Sequence, residues 1–414
     1  MEGKRLNEIW IIDALRTPRS IGKPGKGAVY GLHPQRLLAN ALRPLAERNG
    51  IATDQIDDVI VGCGTPFGQQ GYCIARMASL LAGYGDRAPG ITVERFCGSA
   101  LSAVNFAAMG VGSGMQNLVV AGGIEMMSYT TSLQRPPLMD AENPALREAV
   151  VQFSQGVAAD IIATTEGFSR ADVDAFALES HVRAATAIAG GHFAKSLVPV
   201  LDDAGTLVLD REEFARPDTS AAGLAALKPS FAGVMDRELG DTGLTTRDLV
   251  ERAFPGLAVD HVHHPGNSSG VVDGAAAVLL ASPDYACAHG LRPRARVRAL
   301  ATAGDSPQFM LNATVPAARK ALALAGLEVG DIDLFEVNEA FAAVPMKFMK
   351  DLAVPHDKVN VNGGAIALGH PIGATGAMLV GMLVDELERR DLATGLVTLC
   401  TGGGMAPAMI VERV

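Results

Sequence analysis

One order of signals occurs twice in this chain, and it limits the fold more than any other feature. In residues 33–62 the order is Pro34, an apolar-periodic stretch over 37–45, Gly50, then Ile56-Asp57-Asp58-Val59-Ile60-Val61-Gly62. In residues 315–339 it returns as Pro316, an apolar stretch over 318–325, Gly326, then Ile332-Asp333-Leu334-Phe335-Glu336-Val337. The glycine and the following isoleucine are equally spaced in both copies. Proline near a helix start and glycine at its end are ordinary punctuation, so each piece reads helix, turn, buried strand. Pro44 interrupts the first helix and spoils the match there. Residues 91–96 then read as a strand entering a small-residue helix at 98–110. Residues 359–361 likewise lead through a glycine-rich turn into a helix from about 373. Each copy closes on an apolar strand ending in glycines, 117–123 and 395–404. Alternating strand and helix predicts a duplicated α/β scaffold with a mostly parallel sheet and helices on both faces.

The stretch from about 128 to 266 has no counterpart in the second copy. It carries Arg135-Pro136-Pro137, Arg216-Pro217-Asp218 and a helix entered at Ser169-Arg170-Ala171-Asp172, which has the form of a capping box. An insertion of this length with its own helix is a subdomain, and such insertions often carry binding.

Composition removes several classes of function. Of 414 residues 48% are hydrophobic and only 19% charged, which excludes a long disordered chain. Lys and Arg total 35 against 45 Asp and Glu, without a basic run, so no nucleic-acid partner is expected. The apolar stretch 9–12 is too short for a signal peptide, and no window offers the uncharged residues of a membrane span. Five cysteines, odd in number and without a C-x-x-C pair, point to free thiols in a reducing cytoplasm.

Chemistry-bearing residues fall at matching edges of the scaffold. Cys97 lies at a strand-to-helix junction, where unpaired N–H groups and the helix dipole would lower a thiol pKa; a buried cysteine packed like alanine is the alternative. His370 stands between Gly369 and Pro371 in a glycine-rich turn that has neither a Gly-Lys-Ser/Thr nor dinucleotide spacing, and suits general acid/base or oxyanion work. Cys400 ends a strand and enters Thr401-Gly402-Gly403-Gly404, whose backbone N–H groups suit an oxyanion hole. Asn338 ends another strand, and carboxyl ends of strands are where open α/β sheets collect ligands.

Taken in order, the Cys97 junction, Gly122-Gly123-Ile124-Glu125-Met126-Met127-Ser128, Gly266-Asn267-Ser268-Ser269-Gly270, Asn338-Glu339-Ala340-Phe341, Gly369-His370-Pro371 and Cys400-Thr401-Gly402-Gly403-Gly404 resemble the thiolase family over essentially the whole chain. The resemblance implies the thiolase fold: two βαβαβαββ halves in a layered α-β-α-β-α core with an inserted coenzyme A-binding loop domain. The corresponding divisions are 1–127, the insertion 128–265, a return to the first half at 266–285, and the second half 286–414. It makes Cys97 the nucleophile that becomes an acyl thioester, and His370 its activator. With a water held by Asn338, His370 would also stabilise an oxyanion; N–H groups of Cys97 and Gly402 would form a second hole. Cys400 would exchange a proton with the α-carbon of acetyl-CoA or with the incoming thiol. Ser269, Phe231, Lys228 and Arg216 become contacts for coenzyme A, with Arg211 and Arg237 as further cations of the insertion.

The stretch Gln155-Gly156-Val157-Ala158-Ala159-Asp160-Ile161-Ile162-Ala163 departs from the His-Met-Gly-x-Thr-Ala-Glu run typical of short-chain biosynthetic thiolases, lacking both its histidine and its methionine. The combination of Ala194-Lys195-Ser196-Leu197-Val198-Pro199-Val200, Arg216-Pro217-Asp218-Thr219 and Asp260-His261-Val262-His263-His264 resembles bacterial β-oxidation thiolases. The expected activity is 3-ketoacyl-CoA thiolysis in fatty-acid β-oxidation. The alternatives are acetoacetyl-CoA thiolase running Claisen condensation, a ketoacyl synthase, and a catalytically silent lipid-binding scaffold. CoA and acyl-CoA enter as substrates, with no permanently bound cofactor and no metal. A homodimer or homotetramer is expected, and the α subunit of a multifunctional β-oxidation complex is a candidate partner. His261, His263 and His264 read as a surface or substrate-rim cluster, and Cys63, Cys73 and Cys287 as core or near-core thiols.

Overall fold

A computed structural model describes residues 7–133 and 139–414; Arg135-Pro136-Pro137 lies outside the described residues. The strands are β1 (Trp10–Arg16), β2 (Ser20–Ile21), β3 (Asp58–Cys63), β4 (Ile91–Val93), β5 (Leu118–Met126), β6 (Val200–Leu201), β7 (Leu207–Leu209), β8 (Val272–Ala281), β9 (Ala295–Gly304), β10 (Leu334–Val337), β11 (Thr394–Thr398) and β12 (Met405–Arg413). Hydrogen bonding runs β10-β11-β12-β9-β1-β8-β5-β3-β4, with β2 beside β8. The duplication is visible in that order. The first half reads β1-β8-β5-β3-β4 and the second β9-β12-β11-β10, where Val359 pairs with Phe335 in parallel at the place β4 holds beside β3.

The sheet is mixed rather than mostly parallel. Parallel pairing is confined to β3–β4, β3–β5 and β10–β11 among the named strands, whereas β8 and β12 each run antiparallel to both neighbours. For β12 the reason is the length of chain between strands. Only a short turn separates β11 from β12, too short for the crossover that parallel pairing requires. The halves meet where β1 and β9 share two residue pairs, Trp10↔Arg296 and Ile11↔Ala295.

Five layers result. Helices Ser99–Gly112 and Thr375–Arg390 form the middle layer, packed against Val119, Val278 and Leu280 of the first half and Val397, Leu399 and Met409 of the second. A helix rich in small apolar residues on every face suits burial on both sides. Pro34–Arg48 and Ile74–Ala82 cover the outer face of the first half, and Thr314–Ala325 and Ala343–Leu352 that of the second. Pro44 does not end its helix. Burial of Leu38, Leu42 and Leu45 outweighs a defect that costs about 3 kcal/mol in a helix interior.

The insertion contains the expected capping box, with Ser169 and Asp172 bonding each other's backbone at the start of Arg170–Ala189. Its core, with Val157, Ile161, Val173 and Val262, is continuous with Ala340, Val344, Ile366 and Cys400 of the second half. The histidine cluster is internal, contrary to the surface expectation. His263 and His264 are fully buried and His261 is partly buried. Asp160 and Asp174, distant in sequence, supply the acids that sequence spacing hid. The remaining thiols also divide differently from expectation: Cys63 is buried, but Cys73 and Cys287 are exposed.

Candidate active site

The amino ends of the two central helices meet, and this junction gathers the chemistry. Gly376 leaves no room for a Cβ against Leu101, and Gly123 none against the carbonyl of Gly373. Cys97 sits just before the first helix, in the turn Phe96–Gly98, where Phe96 is held at φ +46°. His370 sits one turn before the second helix. Gly98 packs on Thr401 and Pro407, and a Cβ on Gly402 would strike Met139, with Phe96 at 3.3 Å. The loop after β11 thus lies directly on the Cys97 turn. The segment 266–270 closes another side: Ser269 N–H donates to Ala340 O (2.9 Å), Gly270 N–H to Ala365 O (3.0 Å), and His370 N–H to Gly270 O (2.9 Å). Asn338, at the end of β10, is thereby drawn to the same region.

Hydrogen bonds settle the state of His370. The Thr375 hydroxyl donates to Pro371 O at 3.0 Å. It therefore accepts from His370 Nδ1–H at 2.6 Å, leaving Nε2 with its lone pair. That Nε2 is buried and has no partner among the described residues. Burial, reinforced by the nearby Arg19 cation, lowers the imidazole pKa to about 3. His370 is a neutral imidazole whose Nε2 is unpaired among the described residues.

The thiols differ from expectation. Burial pushes Cys97 up to about 12, the buried Glu125 adding to it, while a hydrogen bond from the Gln155 side chain works the other way. Desolvation thus outweighs the helix terminus that was expected to lower this pKa. Burial and the neighbouring Cys97 raise Cys400 as well. Both Asn338 amide atoms are buried without partners, which leaves two hydrogen-bonding positions for water or substrate oxygen.

Three supporting residues carried no assigned role in the sequence: Glu125, Thr375 and Gln155. Glu125 accepts from Gly64 N–H (2.8 Å), Gly373 N–H (2.9 Å) and Gln70 Nε2 (2.8 Å), pinning the histidine loop to the first half. Its motif was legible, but partners so far apart in sequence were not. Thr375 follows His370 by five residues, a helical-start signal without any hint of its contact. Gln155 was visible only as a departure from a familial run.

Among the proposed coenzyme A contacts, Arg216 borders a cleft of about 190 Å³ with His181, Thr219, Ser220, Leu224 and Leu227, and its guanidinium lies 4.9 Å from the Phe214 ring centroid. Phe231 packs over Gly156 and lies edge-on to Phe341 with ring centroids 6.0 Å apart. Lys228, Arg211 and Arg237 are exposed, and none of the three lines the cleft.

Comparison with known proteins agrees with this geometry. The thiolase N-terminal domain model matches residues 9–235 and the thiolase C-terminal domain model residues 291–413. The chain belongs to the thiolase family. This thiolase is 38% identical to a steroid 3-ketoacyl-CoA thiolase of Mycobacterium tuberculosis, over 99% of this chain and 95% of that one. It is also 38% identical to a 3-ketoacyl-CoA thiolase of Bacillus subtilis (98% and 100% covered) and to a β-ketoadipyl-CoA thiolase of Pseudomonas putida (99% and 100%). The crystal structure of the Bacillus anthracis acetyl-CoA acetyltransferase superposes with a TM-score of 0.83 at 32% identity, covering both chains fully. The protein is an acyltransferase of this family. Among its described residues, no helix is long and apolar enough to cross a membrane.

Proposed function

We propose that this thiolase cleaves 3-ketoacyl-CoA with coenzyme A, giving acetyl-CoA and an acyl-CoA shortened by two carbons, in degradation of fatty or related acids. The observation that carries the reading is the pairing of two buried thiols, Cys97 and Cys400, with a neutral imidazole whose free nitrogen is also buried. The Cys97 thiol gives its proton to His370 Nε2, and its sulfur attacks the 3-keto carbon. The bond between C2 and C3 breaks, leaving an acyl thioester on Cys97. The departing acetyl-CoA enolate takes a proton from Cys400. Incoming CoA then returns a proton to Cys400 and attacks the thioester, releasing acyl-CoA, while His370 restores the Cys97 thiol. Asn338, through a bound water, and His370 stabilise one oxyanion; N–H groups of Cys97 and Gly402 stabilise the other. A dry site magnifies each of these interactions.

The names of relatives span 3-ketoacyl, steroid and β-ketoadipyl substrates, so the acyl chain beyond the 3-keto group is where they differ. The absence of the short-chain histidine and methionine from the stretch 155–163 favours a substrate longer than acetoacetyl-CoA. Steady-state turnover of acetoacetyl-CoA against 3-ketoacyl-CoAs of increasing length tests this. A higher kcat/KM for the longer substrates is expected; activity confined to acetoacetyl-CoA would replace the reading with the acetyltransferase one.

Coenzyme A is assigned to the Arg216 cleft at its nucleotide end, with pantetheine passing Phe231 and Ser269. The chain is assigned a homodimer built on the free edge of β4. Among the described residues that strand pairs only with β3, and Ile91, Met77, Leu80, Phe106 and Met109 expose apolar side chains on β4 and the two helices flanking it. An apolar sheet edge without cover is a template for a second copy.

A further inference from the structure

The two halves finish their matching strands differently. In the first half β4 runs beside β3 as far as the pair Gly62↔Val93. In the second half the equivalent segment makes one parallel bridge, Val359 with Phe335, and Asn360 N–H donates to Phe335 O at 2.9 Å. The chain then turns away toward the glycine-rich loop that carries His370, with Asn360 at φ +48°, a conformation asparagine takes more readily than most residues. Where the strand would have continued, a side-chain amide takes over the ladder. Asn360 Oδ1 accepts from Val337 N–H at 2.8 Å, and its Nδ2 donates to Val337 O at 2.8 Å. The same Nδ2 donates its second hydrogen to Glu339 Oε1 at 3.0 Å. Val337 and Glu339 are the two chain neighbours of Asn338.

We infer that Asn360 is a positioning residue for Asn338, its amide clamping the peptide before Asn338 and the carboxyl after it. The inference rests on Asn338 holding the water of the enolate oxyanion hole, as proposed above. Both Asn338 amide atoms are buried without partners among the described residues. Such an amide is not held by its own hydrogen bonds, so the groups on either side must fix it, to within roughly 0.5 Å for useful catalysis. The clamp is itself braced. Glu339 Oε2 accepts from Ser180 Oγ at 2.7 Å and from Ile366 N–H at 3.1 Å, which ties it to the insertion and to the loop before His370. Asn338 N–H donates to Thr398 O at 3.1 Å on the β11 side. Asn360 and Glu339 are buried, so bulk water does not compete for these bonds.

The test compares two half-reactions of one site in wild type, Asn360→Gly, Asn338→Ala and the double variant. Glycine keeps the positive φ and removes only the amide. The first reading is exchange of the acetyl-CoA α-proton into deuterated water. There Cys400 takes the proton, and the C–H electron pair moves onto the thioester oxygen, which needs the Asn338 hole. The second is acylation of Cys97 by a simple acyl-CoA, followed by mass, which uses the hole made by the N–H groups of Cys97 and Gly402. Asn338→Ala is expected to slow exchange about a hundredfold and Asn360→Gly about tenfold, each with acylation close to wild type. The double variant is expected to match Asn338→Ala alone, because the clamp then has nothing to hold. A merely structural role lowers both rates together, or adds to the Asn338→Ala loss in the double variant. Either result overturns the inference, as does wild-type exchange in Asn360→Gly. Exchange unaffected in Asn338→Ala is instead the failure of the oxyanion reading itself, and takes the inference with it. Should Asn360→Gly not fold, Asn360→Asp keeps the acceptor for Val337 N–H and loses both donated bonds. The same selective loss of exchange is expected of it, and an equal loss of acylation overturns the inference.

Discussion

His370 is neutral because the protein leaves it no choice. It is buried against Arg19 with Nδ1 committed to Thr375, so protonation costs far more folded than unfolded. Its folded pKa of about 3 lies below the ordinary histidine value of 6.5. Between those values the unfolded chain binds a proton that the folded one refuses, so stability falls as pH drops below about 6.5. From pH 7 to 5 this one group removes about 2 kcal/mol. The variant His370→Asn is expected to lose correspondingly less stability over that interval in urea titrations, and an unchanged pH dependence would contradict the neutral assignment. Cys400 invites a different experiment. Cys400→Ala is expected to accept an acyl group at Cys97 yet to lose exchange of the acetyl-CoA α-proton into deuterated water. Exchange at the wild-type rate would remove Cys400 from proton transfer.

At the level of elements, the helix Gln155–Glu166 shows how a site is supported from a distance. Burial pushes the Asp160 carboxyl up, but hydrogen bonds from His261 and His263 outweigh it and leave the group below the usual carboxylate range. His263 also accepts from Ala343 N–H at 3.4 Å through Nε2, joining the insertion to the second half. Asp160→Asn places an amide N–H or removes a charge where imidazole donors converge, and about 3 kcal/mol of stability is expected to go with it. A thermal midpoint equal to wild type would show the cluster to be ornamental. None of this was legible in the sequence, because partners about a hundred residues apart leave no periodic trace. The duplicated helix–turn–strand order was legible, since period and punctuation are local. The antiparallel course of β8 and β12 was not, because strand direction depends on which neighbours a strand pairs with, and periodicity along the strand does not carry that. Cys97, His370, Asn338 and Cys400 stood out as candidates because each lies near the end or beginning of an element that the sequence delimits. The shifts of the two thiols and the imidazole were not legible, because burial is their largest cause.

For the whole molecule, an acidic chain must hold an anionic substrate by local arrangement. Of the four cations considered in the insertion, Arg216 alone lines the cleft, so Arg216→Ala is expected to raise KM for CoA by about tenfold with little change in kcat. Triple replacement of Lys228, Arg211 and Arg237 is expected to do much less; the reverse ranking in steady-state kinetics would move the nucleotide elsewhere. The free edge of β4 makes a separate demand. Ile91→Lys with Phe106→Glu is expected to shift the enzyme to a monomer in analytical ultracentrifugation, and an unaltered dimer would place the interface on another face. The central assignment is tested most directly by trapping the covalent intermediate. Wild-type enzyme mixed with a 3-ketoacyl-CoA in the absence of free CoA, then quenched and digested, is expected to carry the shortened acyl group on the peptide containing Cys97. Cys97→Ala should carry none. An acyl group found on Cys400 or another cysteine, or turnover retained by Cys97→Ala, would contradict the account.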